Sequence, residues 1–249
     1  MGISVLVGDV GGTNSRWAIF NEGLGPVVIR PTSESRSVQD AISDWIGSVD
    51  ACGVAVAGPV KDGCVSLTNA NWYGREADIG KPARFVNDLE AVALAVPMLK
   101  DSDLDWWANP VVEPERVLCI GVGTGFGGAL WTRLGVQAME PGHEMLDGFE
   151  FDHPVTVEDI VSGPGLDRLR QRGLDAEKMF GEAFALALQR LVDRTQADAV
   201  FLIGGVVDGC PQVFQSYLPA RLSVARISHP HPALLGAAAA AIDAFVATP

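Results

Sequence analysis

The chain predicts an α/β fold made of two related halves, and three observations carry that expectation. Short apolar runs of strand length alternate with segments of helical period. Glycine-rich turns follow several of those runs directly. The pattern also restarts midway: VLVGDVGGTNSRWAIF near the beginning is echoed by VLCIGVGTGFGGALW from Val117, each reading strand, glycine turn, strand. This internal repeat is weak on spacing alone and suggests two related α/β domains facing one another. At 249 residues the chain is long enough for one large domain or two small ones, either with a sizeable core.

The elements follow in order. Strands are expected at ISVLVG, SRWAIF, CGVAVAG and GCVSL, with a helical stretch from 38 to 46. A long helix is expected after Asp88, because LEAVALAVPML is apolar on several faces and stops near Pro97. Between 100 and 114, DSDLDWWANPVVEP mixes acids, two Trp and two Pro with no clear period, so it reads as a domain junction with Trp106 and Trp107 packed at the seam. The second half offers strands at RVLCIG and GALW, helices over 157–172 and 176–195, a strand at AVFLIGG and an Ala-rich terminal helix. That last apolar run is broken by Asp243 and falls short of the ~18 apolar residues of a membrane span, so it reads as a buried helix.

Charge narrows the partners. Eighteen Lys and Arg face thirty-one Asp and Glu, a net charge of -13, which excludes nucleic acid and anionic membrane surfaces as natural partners. A bound phosphate compound would have to be held by something other than basic side chains. MGISVLVGDV has no cationic leader and reads as a first strand, so a cytoplasmic chain is expected. Myristoylation is not expected, because Leu6 stands where the pattern wants Ser or Thr. Cys52, Cys64, Cys119 and Cys210 form no C-x-x-C pair and are expected to be buried reduced thiols.

Three glycine segments stand out: DVGGTNSR at 9–16, GVGTGFGG at 121–128 and IGGVV at 203–207. Glycine lets the backbone turn sharply, and successive N–H groups then form a concavity that favours an anion. Such loops can hold phosphate without basic side chains. Gly123, Gly125 and Gly128 also satisfy the dinucleotide pattern G-x-G-x-x-G, with Asp147 about 20 residues on. That motif must open a helix, whereas ALWTRLGVQAMEPG reads as strand and turn. No Walker A loop is present, and the chain has four lysines.

Asn87-Asp88 follows ARFV and precedes a helix, which puts both side chains at the mouth of a strand-to-helix turn. Two roles are open for Asp88: capping that helix, or orienting and deprotonating a substrate hydroxyl. Glu140-Pro-Gly-His143 reads as a turn on which Glu and His converge on one ligand, with a purely structural His143 as the alternative. A zincin helix is excluded, since Asp147 stands where the second His should be. His229 and His231 read as the lead-in to the last helix, and His153 carries no signal.

These residues together resemble the bacterial glucokinase family, within the superfamily of hexokinases, sugar kinases, heat-shock ATPases and actin. DVGGTNSRWAI is similar to its first phosphate loop, VAVAGPVKDGCVSLTNANW to its sugar-loop region, FVNDLEAVALAVP to its catalytic turn and GVGTGFGGA to its second phosphate loop; EPGH, VTVEDIVSGPGL, FLIGGVV and HPALLGAAAAA continue in family order. The resemblance covers most of the chain. It implies two actin-like (ribonuclease H-like) domains with a cleft between them, 1–97 plus 235–249 forming the smaller and 98–234 the larger. It further implies transfer of the ATP γ-phosphoryl group to the 6-hydroxyl of glucose. On that likeness Asp88 is the general base, while Asn87, Glu140, His143 and Glu158 bond the sugar hydroxyls, with Gly58 and Asn69 in the sugar-loop region. Gly11, Gly12, Thr13 and Asn14, with Gly123, Thr124 and Gly125, form the phosphate loops, and Gly204 and Gly205 the adenosine-side turn. Asp9 stands near a Mg²⁺ ion held through water and the ATP phosphates. A sugar and a nucleotide are the implied partners, and a homodimer is left open.

The chain departs from the family pattern in being shorter between His143 and Glu158 and again between Leu166 and Phe201. Asp159 replaces a common Arg, and Asp208 follows GGVV where Pro and a basic residue are more usual. Two alternatives stay open: a kinase for fructose, mannose or an N-acetylhexosamine, and a sugar-binding regulator without turnover. The Asn87-Asp88 pair speaks against a dead enzyme, and no helix-turn-helix precedes the first strand.

Overall fold

A computed structural model of the chain describes residues 2–67, 72–149, 151 and 155–248; Asn69 and His153 lie outside them. The first elements are β1 (Val5–Val10), β2 (Asn14–Phe20), β3 (Val28–Pro31), α1 (Val38–Ile42), β4 (Ala51–Val56), β5 (Val60–Lys61), β6 (Cys64–Leu67), β7 (Trp72–Arg75), β8 (Ala83–Asn87) and α2 (Asp88–Leu94). There follow β9 (Leu104–Ala108), β10 (Arg116–Val122), β11 (Phe126–Thr132), β12 (Gly135–Met139), α3 (Val157–Ile160), α4 (Gly163–Gln171) and α5 (Ala176–Thr195). The chain continues through β13 (Ala199–Ile203), α6 (Gly205–Gly209), α7 (Pro211–Gln215), β14 (Ser223–Ile227) and α8 (Pro232–Val246). Contacts divide it into two units, Met1–Leu99 with Pro230–Pro249, and Lys100–His229.

The first unit is built on a sheet of order β3-β2-β1-β4-β8, in which β1 pairs antiparallel with β2 and parallel with β4. All six residues of β4 are buried, as expected of a central strand covered on both faces. One cover is α8, whose Ala237, Ala238 and Ala241 join Val5, Val7 and Ala55 in one core cluster. The opposite face gathers Leu6, Val10, Val54 and Val56 around Trp17 and Trp72. The alanine-rich helix is explained by close approach. A Cβ on Gly53 would fall onto the carbonyl of Ala237, and one on Gly236 onto the carbonyl of Ala91 in α2. No helix among the described residues is long and apolar enough to cross a membrane.

The second unit repeats the arrangement. Its sheet runs β12-β11-β10-β13-β14-β9, so β10 again has an antiparallel hairpin partner on one side and a parallel strand on the other. The internal repeat read from the sequence is therefore a repeat of sheet order, with β9 added at one edge. Long α5 supplies Phe180, Phe184 and Leu188 to the core, where Phe184 meets Phe214 edge-on at 4.8 Å.

Several sequence expectations are corrected. The segment expected to be an irregular seam contains β9, paired antiparallel with β14. Adjacent strand residues point to opposite faces. Trp106 accordingly packs on Phe201 at 5.9 Å and Trp107 on Phe214 at 6.5 Å, all inside the second unit. Two covered faces leave no alternation to read. The expected helix over 157–172 breaks at Val161 and Ser162, where the Ser162 hydroxyl accepts the Gly165 amide at 3.0 Å and caps α4. The helices after 38 and after Asp88 are shorter than expected, ending at Ile42 and Leu94. Cys52 and Cys119 are buried, with thiols pushed up to about 12 by burial, but Cys64 and Cys210 are only half-buried.

Candidate functional site

In the first unit, β1 and β2 meet at the turn 11–13, with the Gly11 amide donating to the Asn14 carbonyl at 3.0 Å. Buried Thr32 braces the turn from below: its hydroxyl donates to Gly11 O at 2.7 Å and its amide to Thr13 O at 2.9 Å. Gly12 faces open space, and Gly12, Thr13 and Asn14 are exposed. Their backbone stays accessible to an anion.

Asp9 is the penultimate residue of β1, two residues before this turn begins. Register pairs it with Arg16, whose Nη1 reaches Asp9 Oδ2 at 3.2 Å. Burial raises the Asp9 carboxyl above its ordinary value, with Arg16 and, more weakly, His231 opposing. Among the described residues no three His, Cys, Asp or Glu side chains converge on a metal ion. Mg²⁺ commonly keeps its waters and takes one or two carboxylates plus substrate phosphates. Asp9 supplies one such carboxylate beside the turn.

At the end of β8, Asn87 rather than Asp88 holds the N-cap position of α2. Asn87 Oδ1 accepts the amides of Leu89 at 3.0 Å and Glu90 at 3.4 Å, and Glu90 returns a bond to the Asn87 amide. Asn87 Nδ2 donates to Gly58 O at 3.3 Å, tying the turn to the segment that follows β4. Asp88 does not hold the cap position, and its Oδ1 accepts the Leu89 amide at 2.9 Å. Burial raises its pKa most strongly; the Leu89 amide opposes, and the negative charge of Asp9 adds to the rise. Two half-buried carboxyls thus feel each other's field at the ends of β1 and β8, with β4 between those strands.

In the second unit the turn of the β10–β11 hairpin holds Gly123, Thr124 and Gly125, the Gly123 amide donating to Gly125 O at 3.0 Å. A strand, not a helix, follows, as the argument against a dinucleotide site required. The Gly163 amide donates to Gly123 O at 2.7 Å and bolts the start of α4 onto this loop. Glu140 precedes a single helical turn at Pro141–His143, and both Glu140 and His143 are exposed. Glu158, near the start of α3, reaches His143 Nε2 with its Oε1 at 3.5 Å. Gly204 has φ +121°, a conformation that favours glycine, and its missing Cβ would strike the carbonyl of Val122. Gly205 beside it opens to free space.

The structure brings Asp9, Gly11–Asn14, Gly58, Asn87 and Asp88 into the first unit, and the remaining described candidates into the second. Sequence reasoning missed Arg16, Thr32, Ser162 and Gly163, which hold the others in place. Arg16 was reachable from the hairpin register; Thr32 carries no local signal. Of the two family departures, Asp159 bonds the Thr156 amide at 2.8 Å, and Asp208 meets Arg226 at 3.1 Å.

A profile of the glucokinase family matches residues 6–197. A glucokinase of Caulobacter sp. strain K31 is 34% identical over 197 residues, covering 66% of this chain and 60% of that protein. The chain thus spans less than two thirds of the length of this relative. Among solved structures, a glucokinase from an Antarctic psychrotroph superposes with a TM-score of 0.84 at 21% identity, over 98% of this chain and 100% of that one. A glucokinase from Streptomyces griseus, of the ROK family and solved with glucose and AMPPNP, gives 0.64 at 17% identity, over 96% and 99%. These likenesses establish the fold.

Proposed function

Because the chain belongs to the glucokinase family, we propose that it transfers the γ-phosphoryl group of ATP to the 6-hydroxyl of glucose, with Asp88 as general base. The observation that most supports this reading is the strand-to-helix turn itself: Asn87 takes the capping duty, and burial makes the Asp88 carboxylate more basic than a free one. A base of this kind can orient the hydroxyl and accept its proton. Phosphoryl transfer passes through a loose transition state, so positioning and charge stabilisation do most of the work. As the sugar oxygen bonds to the γ-phosphorus and the bond to the β-phosphate bridging oxygen breaks, the hydroxyl proton passes to Asp88 and ADP leaves.

Glu140, His143 and Glu158 suit a polyol, since carboxylate and imidazole pair with hydroxyl donors and acceptors. The amides of Gly11–Asn14 and Gly123–Gly125 are the proposed phosphate holders, and Gly204 and Gly205 the adenosine-side turn. Asp9 would hold a Mg²⁺ ion through water, and that ion would supply neutralisation of the phosphate charge. The Streptomyces neighbour carries both ligand classes, glucose and a nucleotide analogue. The same reaction on another hexose is a second reading.

The deciding measurement is coupled ADP release with Mg·ATP across a panel of hexoses. Glucose-dependent release is expected, and the absence of release with every sugar would leave a binding protein instead. His143→Ala should raise the sugar KM about 5-fold, the scale of one lost hydrogen bond, while the ATP KM stays within about 2-fold. An effect confined to ATP would show that the turn at 140–144 faces the wrong ligand.

A further inference from the structure

The Glu158 carboxylate touches more than the sugar-side histidine. Its Oε2 lies 3.0 Å from where a Cβ on Gly142 would stand, and equally 3.0 Å from where a Cβ on Gly125 would stand. Gly142 belongs to the Glu140–His143 turn, and Gly125 closes the second phosphate loop. One carboxylate therefore packs against both, because neither position carries a side chain. The backbone reinforces the junction: Ser162 Oγ donates to Glu158 O at 2.6 Å, and the next amide, that of Gly163, donates to Gly123 O at 2.7 Å. The segment Glu158–Gly163 is thus fastened to the phosphate loop at one end and to the sugar-side turn at the other.

We propose that Glu158 is a positioning residue for the phosphate loop as well as a sugar ligand, so that sugar and nucleotide affinities are coupled through its carboxylate. This rests on the sugar-kinase reading above. A sugar bonded to Glu158 fixes the carboxylate in one rotamer, and the fixed carboxylate limits where Gly125 can move. Linkage makes the effect reciprocal: whatever factor sugar adds to nucleotide affinity, nucleotide adds to sugar affinity.

The test uses the whole chain and two ligands, glucose and AMPPNP with Mg²⁺, measured by calorimetry. Glucose should tighten AMPPNP binding by about 5-fold or more, the lower edge of ordinary couplings. Gly125→Ala adds a methyl to the phosphate loop at the Glu158 contact, and should weaken glucose binding by about 5-fold with no nucleotide present. Gly209→Ala is the matched comparison, since it lies outside both ligand loops and its Cβ would meet nothing within 4 Å; glucose affinity should hold there. Glu158→Asp withdraws the carboxylate by one methylene without loss of charge, and at saturating glucose should abolish the gain in AMPPNP affinity. This second variant decides the matter if Gly125→Ala fails to fold. Equal glucose affinity in Gly125→Ala and wild type, or an AMPPNP affinity indifferent to glucose, overturns the coupling alone. Failure of the wild type to bind glucose at all overturns the sugar-kinase reading with it.

Discussion

Asp88→Asn is expected to lower turnover by about 100-fold or more while sugar and nucleotide binding stay measurable, because the variant keeps the shape and loses the proton acceptor. Near-normal turnover would remove Asp88 from the chemistry. The same substitution should make the protein more stable at neutral pH. Burial raises the Asp88 pKa in the folded chain, so between its ordinary value near 3.8 and the raised value the folded state holds a proton that the unfolded state has released. Stability from this group is then present at low pH and lost as pH rises through the folded pKa. At neutral pH the carboxylate is ionised in a place that disfavours it, and asparagine lifts that cost. Thermal melting should therefore show Asp88→Asn above wild type at pH 7, with the gap closing under acid. In the wild type, kcat/KM should fall on the acid side at a pH above that of a free carboxylate, since protonation of the base ends the reaction. Asp9→Asn should shift that limb downward, because the charge of Asp9 contributes to the rise.

Gly236→Ala should be the most damaging single methyl in the first unit. Helix propensity alone would favour alanine by about 1 kcal/mol. The added Cβ, however, lands on the carbonyl of Ala91, a backbone atom already accepting the Ala95 amide at 3.0 Å. No side chain can yield, so α2 must shift against α8. Overpacking of this kind costs about 3 kcal/mol, which for a chain of this size lowers the melting temperature by about 10 °C. Activity should fall as well, since α2 begins at Asp88. Gly47→Ala, with open space around its Cβ, should change stability by less than about 0.5 kcal/mol. Equal melting temperatures for the two variants would mean that α2 and α8 are not in the contact described.

The α/β class was legible because hydrophobic period changes along the chain, and the doubled strand–glycine–strand pattern did foreshadow the doubled sheet order. Strand β9 was illegible for a physical reason: Trp106 and Trp107 are both used, on opposite faces, so the alternation that marks a half-buried strand is missing. The break between α3 and α4 could have been found. Ser162 followed by Gly163-Pro164 is a capping residue ahead of a proline at the second helical position, a usual place for a helix to start. At the site, the residue types could be read locally, but their supports could not. Thr32 reaches Gly11 across 21 positions, and Gly163 reaches Gly123 across 40. Such contacts are set by how the sheets close, not by any window of sequence.

The return of α8 to the first unit gives the molecule an order of assembly. Residues 100–229 form a continuous unit and can complete their core as soon as they have left the ribosome, whereas the first unit must wait for a helix that begins at Pro232. Until then Val5, Val7, Ala55 and Val86 lack the cover that α8 provides over one face of the sheet. The strands that carry Asp9 and lead into Asp88 would be the last to settle, and a nascent chain stalled before α8 would present them as an open apolar face to chaperones.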